Sequence, residues 1–521
     1  MKKNNKKFYI TTPIYYVNDK PHIGHAYTTI AADILARYHR MIGDKTFFLT
    51  GTDEHGAKIE EKAKELGMAP KQFVDEITAK FQLAWDELNI SNDRFIRTTE
   101  EEHRKAAGEA LEYMYDKGDI YKGEYRGLYC QKCEQYKNEK DLVDGKCPDH
   151  QTTPEKMSEE CYIFRMSKYE DELLKRIKSD EFKILPIERK NEIVSFYKNE
   201  KLQDVSFSRK NVKWGIPLPW DKSHTTYVWA DAFLNYLTGL GWQGPKDKLP
   251  EMWPADVHLM SKDILRVHAT IWPAMLLSLD IPLPKSLFIH GFFLVDGQKM
   301  SKSLGNVIAP EDLIKKYGVD ATRYLLMSAT TFGHDGDIGW KKFDEKYNAD
   351  LANGIGNLVA RILTLVEKSG IENLSYKEAV LGSSEEILKQ LKEKINNTWV
   401  VYNDAIENLE IHQAIETTWS LISFIDGYLD KEKPWELITK LVGNEEKELE
   451  DELEIILYNL VESLRQISWL IWPFMPETAE SVLKQLGILK IEQKKTLIEA
   501  QKWPKKWLGM IKKGEALFPR I

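Results

Sequence analysis

The chain has 521 residues, too many for one ordinary hydrophobic core, so two to four domains are expected. A composition of 42% hydrophobic, 30% charged and 11% aromatic residues is that of a globular protein, and the net charge of -8 excludes a histone-like or non-specific nucleic-acid binder. No window holds 18 uninterrupted apolar residues and no apolar signal-peptide core follows the basic opening "MKKNNKK", so neither a membrane span nor export is expected, and a cytoplasmic protein is.

From Phe8 to Gly51 the pattern reads strand, helix, strand. The middle segment carries Ile30, Ile34, Tyr38 and Met41 on one stripe, and Gly43 is placed to close it. "KTFFLTG" then reads as a buried strand, completing a βαβ unit whose ligand crevice lies at the strand carboxyl ends. At the first strand–helix junction, nucleotide folds usually place a glycine cradle. This chain has one glycine there, Gly24, with His22 and His25 around it. On these residues alone a metal pair, two core histidines and a nucleotide site of another design are all open.

Residues 60–115 look helical and highly charged. The character then changes, and all four cysteines fall between residues 130 and 161. Such a cluster in a large chain points to a metal rather than to disulfides. Cys130-x2-Cys133, thirteen intervening residues, and Cys147-x2-His150 make two knuckles of soft ligands. Zinc takes four such thiolates and imidazoles tetrahedrally, and a closed set is structural. Cys161 is the spare: it could displace His150 as fourth ligand, but its longer spacing favours an ordinary small buried side chain.

From Thr225 to Ile308 apolar strands and helices return, so one α/β sheet is interrupted by an insertion. "DGQKMSKSLGN" then sets Lys299 and Lys302 around Met300 and Ser301. Lysines in a loop are commonly solvated surface. Paired with the histidine junction, they read as mobile ammonium groups that meet charge building on a phosphoryl group. Beyond Tyr347 the chain is almost wholly helical. Leu351, Ile355, Leu358, Ile362 and Leu365 share a buried face, and Asn353, Asn357 and Arg361 recur every four residues on an exposed stripe opposite it.

"HIGH" at 22–25 and "KMSKS" at 299–303, in this order on an α/β pattern, resemble the paired signatures of class I aminoacyl-tRNA synthetases. The isoleucine, valine and leucine branches carry a much longer editing insertion between the two words. The cysteine branch has a cysteine before the first word, where this chain has "TTPIYYVND". "TTPIYY", "GTDEHG", "KWGIPLP", "YVWADAFLNY", "SKDILRVHATIWPAML" and "NADLANGIGNLVAR" resemble the methionyl branch, in its order, over roughly residues 8–480.

The resemblance implies a Rossmann-type α/β catalytic domain in two halves (1–115 and 221–298), a connective insertion with a zinc knuckle (116–220), a loop and stem-contact region (299–346), and an all-α helical-bundle anticodon-binding domain (347–521). It implies ATP with Mg2+ and L-methionine as substrates, tRNA(Met) as partner, one structural Zn2+ on Cys130, Cys133, Cys147 and His150, and a monomer. His22, Gly24, His25, Asp263, Lys299, Ser301 and Lys302 are expected at ATP, the two histidines and two lysines being the catalytic groups. Ile14, Tyr16, Asp53, Trp229, Ala232, Tyr236, Ile264 and His268 are expected at methionine. There Asp53 holds the ammonium, and Tyr16 or His268 meets the sulfur. Asn353, Asn357, Arg361 and Trp435 are expected to read the anticodon.

Overall fold

The computed structural model describes residues 6–130, 135–137, 139, 142–148, 151–295, 297–300, 306–371, 374, 383–442, 446–504, 507 and 509–521. Strand β1 (Lys7–Tyr16), helix α1 (Ile23–Ile42) and strand β2 (Lys45–Asp53) form the expected parallel unit, with Lys7 opposite Lys45 and Tyr16 opposite Asp53. Gly43, at φ 93°, ends α1 in the left-handed conformation that glycine adopts without strain. The predicted stripe is buried except for half-buried Met41. Ala31, Ala32, Asp33 and Leu35 are buried as well, so α1 is covered almost all round.

The expectation of helix across 60–115 fails at one place. Helices α2 (Ala57–Glu65), α3 (Pro70–Glu87) and α4 (Glu101–Asp116) are interrupted by β3 (Arg94–Arg97), which pairs in parallel with β2. "RFIR" hides its strand because it lies at the sheet edge, where only Ile96 is buried and arginines are tolerated.

An antiparallel sheet follows in the order β5 (Gln135–Lys137), β4 (Ile120–Cys130), β6 (Glu155–Phe164), β8 (Val205–Ser206). Strand β7 (Lys183–Leu185), although within this stretch of sequence, belongs to the main sheet. Helix α5 (Val228–Ala232), strand β9 (Val257–Ser261), helix α6 (Leu265–Ser278) and strand β10 (Ser286–His290) complete that sheet's half. Its order is β3-β2-β1-β9-β10-β7, with every neighbour parallel. Chain order reverses between β1 and β9, the switch point outside which such sheets bind ligands.

β11 (Phe293–Val295) and β12 (Gln298–Lys299) form a hairpin, and after α7 (Pro310–Tyr317) and α8 (Val319–Ser328) the strand β13 (Gly336–Ile338) joins β11. The rest is helical: α9 (Asn357–Ser369), α10 (Ser383–Glu407), α11 (Ile411–Glu432), α12 (Pro434–Leu441), α13 (Lys447–Ile471) and α14 (Pro476–Gln485). The five predicted core positions from Leu351 to Leu365 are buried. They do not share one α-helix, however. Residues Tyr347–Gly356 wind as a π-helix, broken at Gly354 by a non-helical ψ of -108°.

One buried arginine ties the parts together. Arg323 of α8 donates to Asp33 of α1 at 2.7 Å and to the carbonyls of Leu88, Pro473 and Phe474 at 3.1, 2.9 and 2.9 Å. Among the described residues no helix is long and apolar enough to cross a membrane.

Candidate active site

The ends of β1, β2 and β9 and the start of α1 surround a cavity of about 760 Å³. Twelve of the expected residues line it together: Ile14, Tyr16, His22, Gly24, His25, Asp53, Trp229, Ala232, Tyr236, Asp263, Ile264 and His268. Of Lys299 only the backbone is described, paired with Leu294 in the β11–β12 hairpin. Ser301 and Lys302 lie outside the described residues, while their neighbour Met300 lines the cavity.

His22 caps α1. Its Nδ1 accepts the Gly24 N–H at 3.1 Å, and His25 Nδ1 accepts the His22 N–H at 3.3 Å, so each satisfies an orphan donor of the first turn. The two rings stack with centroids 3.8 Å apart. Burial lowers the pKa of His22, with Asp263 pulling the other way; burial and the neighbouring His22 push His25 well below the usual histidine range. Both imidazoles are therefore neutral at pH 7. A neutral imidazole carries one proton, so with Nδ1 accepting it sits on Nε2, which is a donor. Two Nδ1 atoms bound to backbone N–H groups are not a metal pair. Gly24 is required by the cap itself, because a Cβ there would lie 2.9 Å from His22 Cε1.

Across the cavity the walls are aromatic. Trp229 stacks on Phe233 at 5.3 Å, and Phe233 on Trp272 at 5.7 Å. His268 Nδ1–H donates to the Ile264 carbonyl at 2.9 Å, since the carbonyl can only accept, and His268 Nε2 then accepts from the Tyr236 hydroxyl at 2.9 Å. Burial lowers the His268 pKa to about 4. The ring is neutral with both nitrogens engaged, so the expectation that His268 meets the substrate sulfur is corrected.

Asp53 is buried at the carboxyl end of β2. The residues after it are anchored. Glu54, wholly buried, meets Arg97 through two contacts of 2.6 and 3.0 Å. His55 Nδ1 lies 2.6 Å and His103 Nε2 2.7 Å from the two oxygens of Asp231. Burial alone pushes the Asp231 carboxyl up, but the two histidines prevail and hold it at about 2. The Asp53 strand end and the Trp229–Ala232 wall are thus joined through one carboxylate. Asp263 is exposed at the mouth and accepts from the Ser261 hydroxyl.

Sequence reasoning missed Asn235, Thr28, His290, Gly291 and Phe293, which also line the cavity. His290 Nδ1 is 2.7 Å from the Gly291 carbonyl and its Nε2 2.7 Å from the Thr28 hydroxyl, tying β10 to α1. A His-Gly step closing an apolar strand at the crevice was the available signal.

Of the four residues expected to bind zinc, two lie within the described residues. Cys130 ends β4 and Cys147 lies in the following turn, both buried. Thr152 brackets them: Cys147 N–H donates to its carbonyl at 2.8 Å, and its hydroxyl is 3.8 Å from Cys130 Sγ. Cys133 and His150 lie outside the described residues, among which no three potential metal ligands gather. Cys161 sits opposite Gly123, seven residues along β4 from Cys130, or roughly 23 Å away at strand spacing. It belongs to a different place.

In the helical part Asn353 and Asn357 are exposed, but the π-helix and the break at Gly354 separate them from a continuous stripe. Asn353 Oδ1 accepts from Arg520 at 3.0 Å. Arg361 is held by Asp426 and Asp430 of α11, both at 2.5 Å. Trp435, in the first turn of α12, keeps 38% of its surface exposed.

The family model described as tRNA synthetases class I (M) matches residues 8–153 and 149–363. The methionine–tRNA ligase of Clostridium acetobutylicum is 45% identical over 521 residues, covering 99% of this chain and 78% of that protein. That of Bacillus subtilis is 42% identical over 538 residues, covering 100% and 79%. The solved Mycobacterium tuberculosis methionyl-tRNA synthetase in complex with methionyl-adenylate superposes with a TM-score of 0.91 at 35% identity, covering 99% of this chain and 100% of that one.

Proposed function

The chain belongs to the class I tRNA synthetases of the methionyl type, and from that premise we propose how its own residues carry the family's reaction. The activity is methionine–tRNA ligation, in which methionine and ATP give methionyl-adenylate and pyrophosphate and the methionyl group then passes to tRNA. The observation that carries the residue assignment is convergence. Side chains drawn from residues 14–25, 53, 229–236 and 263–268 line a single cavity at the sheet's switch point.

The nucleophile is the substrate's own carboxylate, so the protein positions groups and meets charge. The methionine carboxylate attacks the α-phosphate, and the bond to the pyrophosphate leaving group breaks. The Nε2–H groups of neutral His22 and His25 donate to phosphate oxygens at the N-terminus of α1, whose dipole also favours anions. Magnesium accompanies ATP as part of that substrate. Lys299 and Lys302 close on the pyrophosphate, Asp263 accepts from the ribose, and Ser301 and Gly24 complete the nucleotide side. Asp53 holds the ammonium while Ile14, Trp229, Ala232, Tyr236, Ile264 and His268 shape a dry slot for the unbranched thioether, with Tyr16 at the sulfur. The 2′-hydroxyl of the terminal adenosine of tRNA(Met) then takes the methionyl group. Asn357, Arg361 and Trp435, with Asn353 beside them, read unstacked anticodon bases.

A structural zinc on Cys130, Cys133, Cys147 and His150 fits the two buried thiols, both of whose residues Thr152 contacts. The chemistry it would supply is cross-linking of the turn. Metal analysis of the purified protein tests it: about one zinc per chain is expected, and loss of that metal in Cys133→Ser is the required companion result. ATP–pyrophosphate exchange with each of the twenty amino acids tests the whole assignment. Methionine should drive exchange best, and any other leading amino acid overturns the reading.

A further inference from the structure

Asn235 stands between two wall residues, Ala232 and Tyr236, and lines the cavity itself with only 1% of its surface exposed. Its Nδ2 donates to the Ala232 carbonyl at 2.6 Å. That contact fixes which way the amide faces, because turning it over would press two oxygens together. The other end of the amide is left over. Asn235 Oδ1 is buried and has no hydrogen-bond partner among the described residues. A buried carbonyl oxygen without a donor is costly, and a fold that keeps one at a ligand cavity calls for an explanation.

The neighbouring polar groups do not supply the donor. The Tyr236 hydroxyl donates to His268, and the remaining His268 proton goes to the Ile264 carbonyl. The Asp53 carboxylate is itself an acceptor. The substrate narrows the choice further. Methionine's thioether and carboxylate only accept, and its ammonium alone donates. The donors of ATP, an adenine amino group and ribose hydroxyls, belong to the Gly24 and Asp263 side.

We propose that the Asn235 carboxamide oxygen accepts an N–H of the substrate's α-ammonium, alongside the Asp53 carboxylate, and so helps select for α-amino acids. This rests on the assignment of the cavity to methionine. Asp53 supplies charge, whereas Asn235 supplies a fixed, uncharged acceptor whose position is set by the Ala232 carbonyl.

Two inhibitors of methionine-driven exchange isolate the ammonium. Methioninol keeps it, and 4-(methylthio)butan-1-ol has the same chain without it. Asn235→Ala is expected to raise the inhibition constant of methioninol at least about tenfold, the scale of a hydrogen bond to a charged group. The constant for the deaminated alcohol should stay within about twofold, since it makes no such bond. Asn235→Ser, which keeps an oxygen on a shorter side chain, should fall between and serves if the alanine variant does not fold. An equal rise for both compounds makes Asn235 a packing residue and overturns the proposal. An unchanged ratio assigns the oxygen to a trapped water and overturns it equally. Failure of methionine to drive exchange in the unaltered protein would instead overturn the assignment of the cavity.

Discussion

His22 both caps a helix and offers a donor to the cavity, and two substitutions separate these roles. Asparagine places its amide oxygen near the position of Nδ1 and is among the best N-cap residues, so His22→Asn should keep the bond from the Gly24 N–H. It has no group at the reach of Nε2. Glutamine does the reverse, placing an amide N–H near Nε2 while giving up the cap. A donor aimed at charge developing in the transition state is worth about 2.7–4 kcal/mol, so His22→Asn should lower the exchange kcat by about 100- to 1,000-fold. Its thermal midpoint should stay close to that of the parent. His22→Gln should lose about 1 kcal/mol of stability, the usual value of a cap, and retain most of the rate. ATP–pyrophosphate exchange and thermal unfolding read the two effects separately. A His22→Asn protein that exchanges at the parent rate would refute the donor role and leave His22 as a cap only.

Three further substitutions probe the frame around the site. Arg323→Ala removes the buried partner of Asp33 and leaves three carbonyls unmet, so it should cost about 3–5 kcal/mol in denaturant unfolding; a loss under about 1 kcal/mol would contradict the pin. Acid should destabilise the fold through buried histidines. His268 and His290 fall from 6.5 to about 4, chiefly by burial. For such a depressed group, stability is fully present above 6.5 and is lost as pH falls towards 4, by up to about 3 kcal/mol per group. The urea midpoint should therefore drop between pH 7 and pH 5, less so in His268→Gln, and a flat midpoint over that range would show the rings are not neutral when folded. Arg361→Ala should lower kcat/KM for tRNA by about 5- to 150-fold, equivalent to the 1–3 kcal/mol of a base contact, and spare exchange. Equal damage to both reactions would make the Arg361–Asp426–Asp430 cluster structural.

Twelve of the residues expected from the sequence line one cavity, because the paired words and the segments around them belong to one fold pattern. The histidines around Gly24 are ambiguous alone, and the second word at 299–303, read in the same order along the chain, is what gives them a meaning. What stayed hidden was of another kind. β3 is four residues at an edge with one buried position, and local pattern cannot see that Arg97 will meet buried Glu54. The π-helix before α9 reads as ordinary helix because its apolar residues still repeat at nearly the same interval. His268 is opaque for a different reason. Its residue type fits a sulfur donor, and only the positions of the Tyr236 hydroxyl and the Ile264 carbonyl reveal that both nitrogens are taken. Asn235 gives no signal, since an unmet oxygen is defined by what does not surround it.

Helix α1 explains why so many of these features depend on one another. Its first turn carries the two histidines whose Nδ1 atoms close its own cap. Its middle is fixed by Asp33, which receives Arg323 from α8 and Arg37 from the next turn. Its end is closed by Gly43, with His39 held 2.8 Å from Asp44 and stacked on Phe8 of β1. A helix exposed on one face can shift against its sheet with little loss, but α1 is buried almost all round and bonded at both ends. Displacing it would break the cap, the Asp33–Arg323 pair and the Thr28–His290 contact together. That arrangement keeps two uncharged donors in fixed places before the substrate arrives, as stabilisation of developing charge requires. It also means that the same guanidinium that steadies α1 grips the carbonyls of Pro473 and Phe474. The helical region that is proposed to read the anticodon is therefore bolted to the helix proposed to handle the phosphates, and not merely tethered to it by the chain.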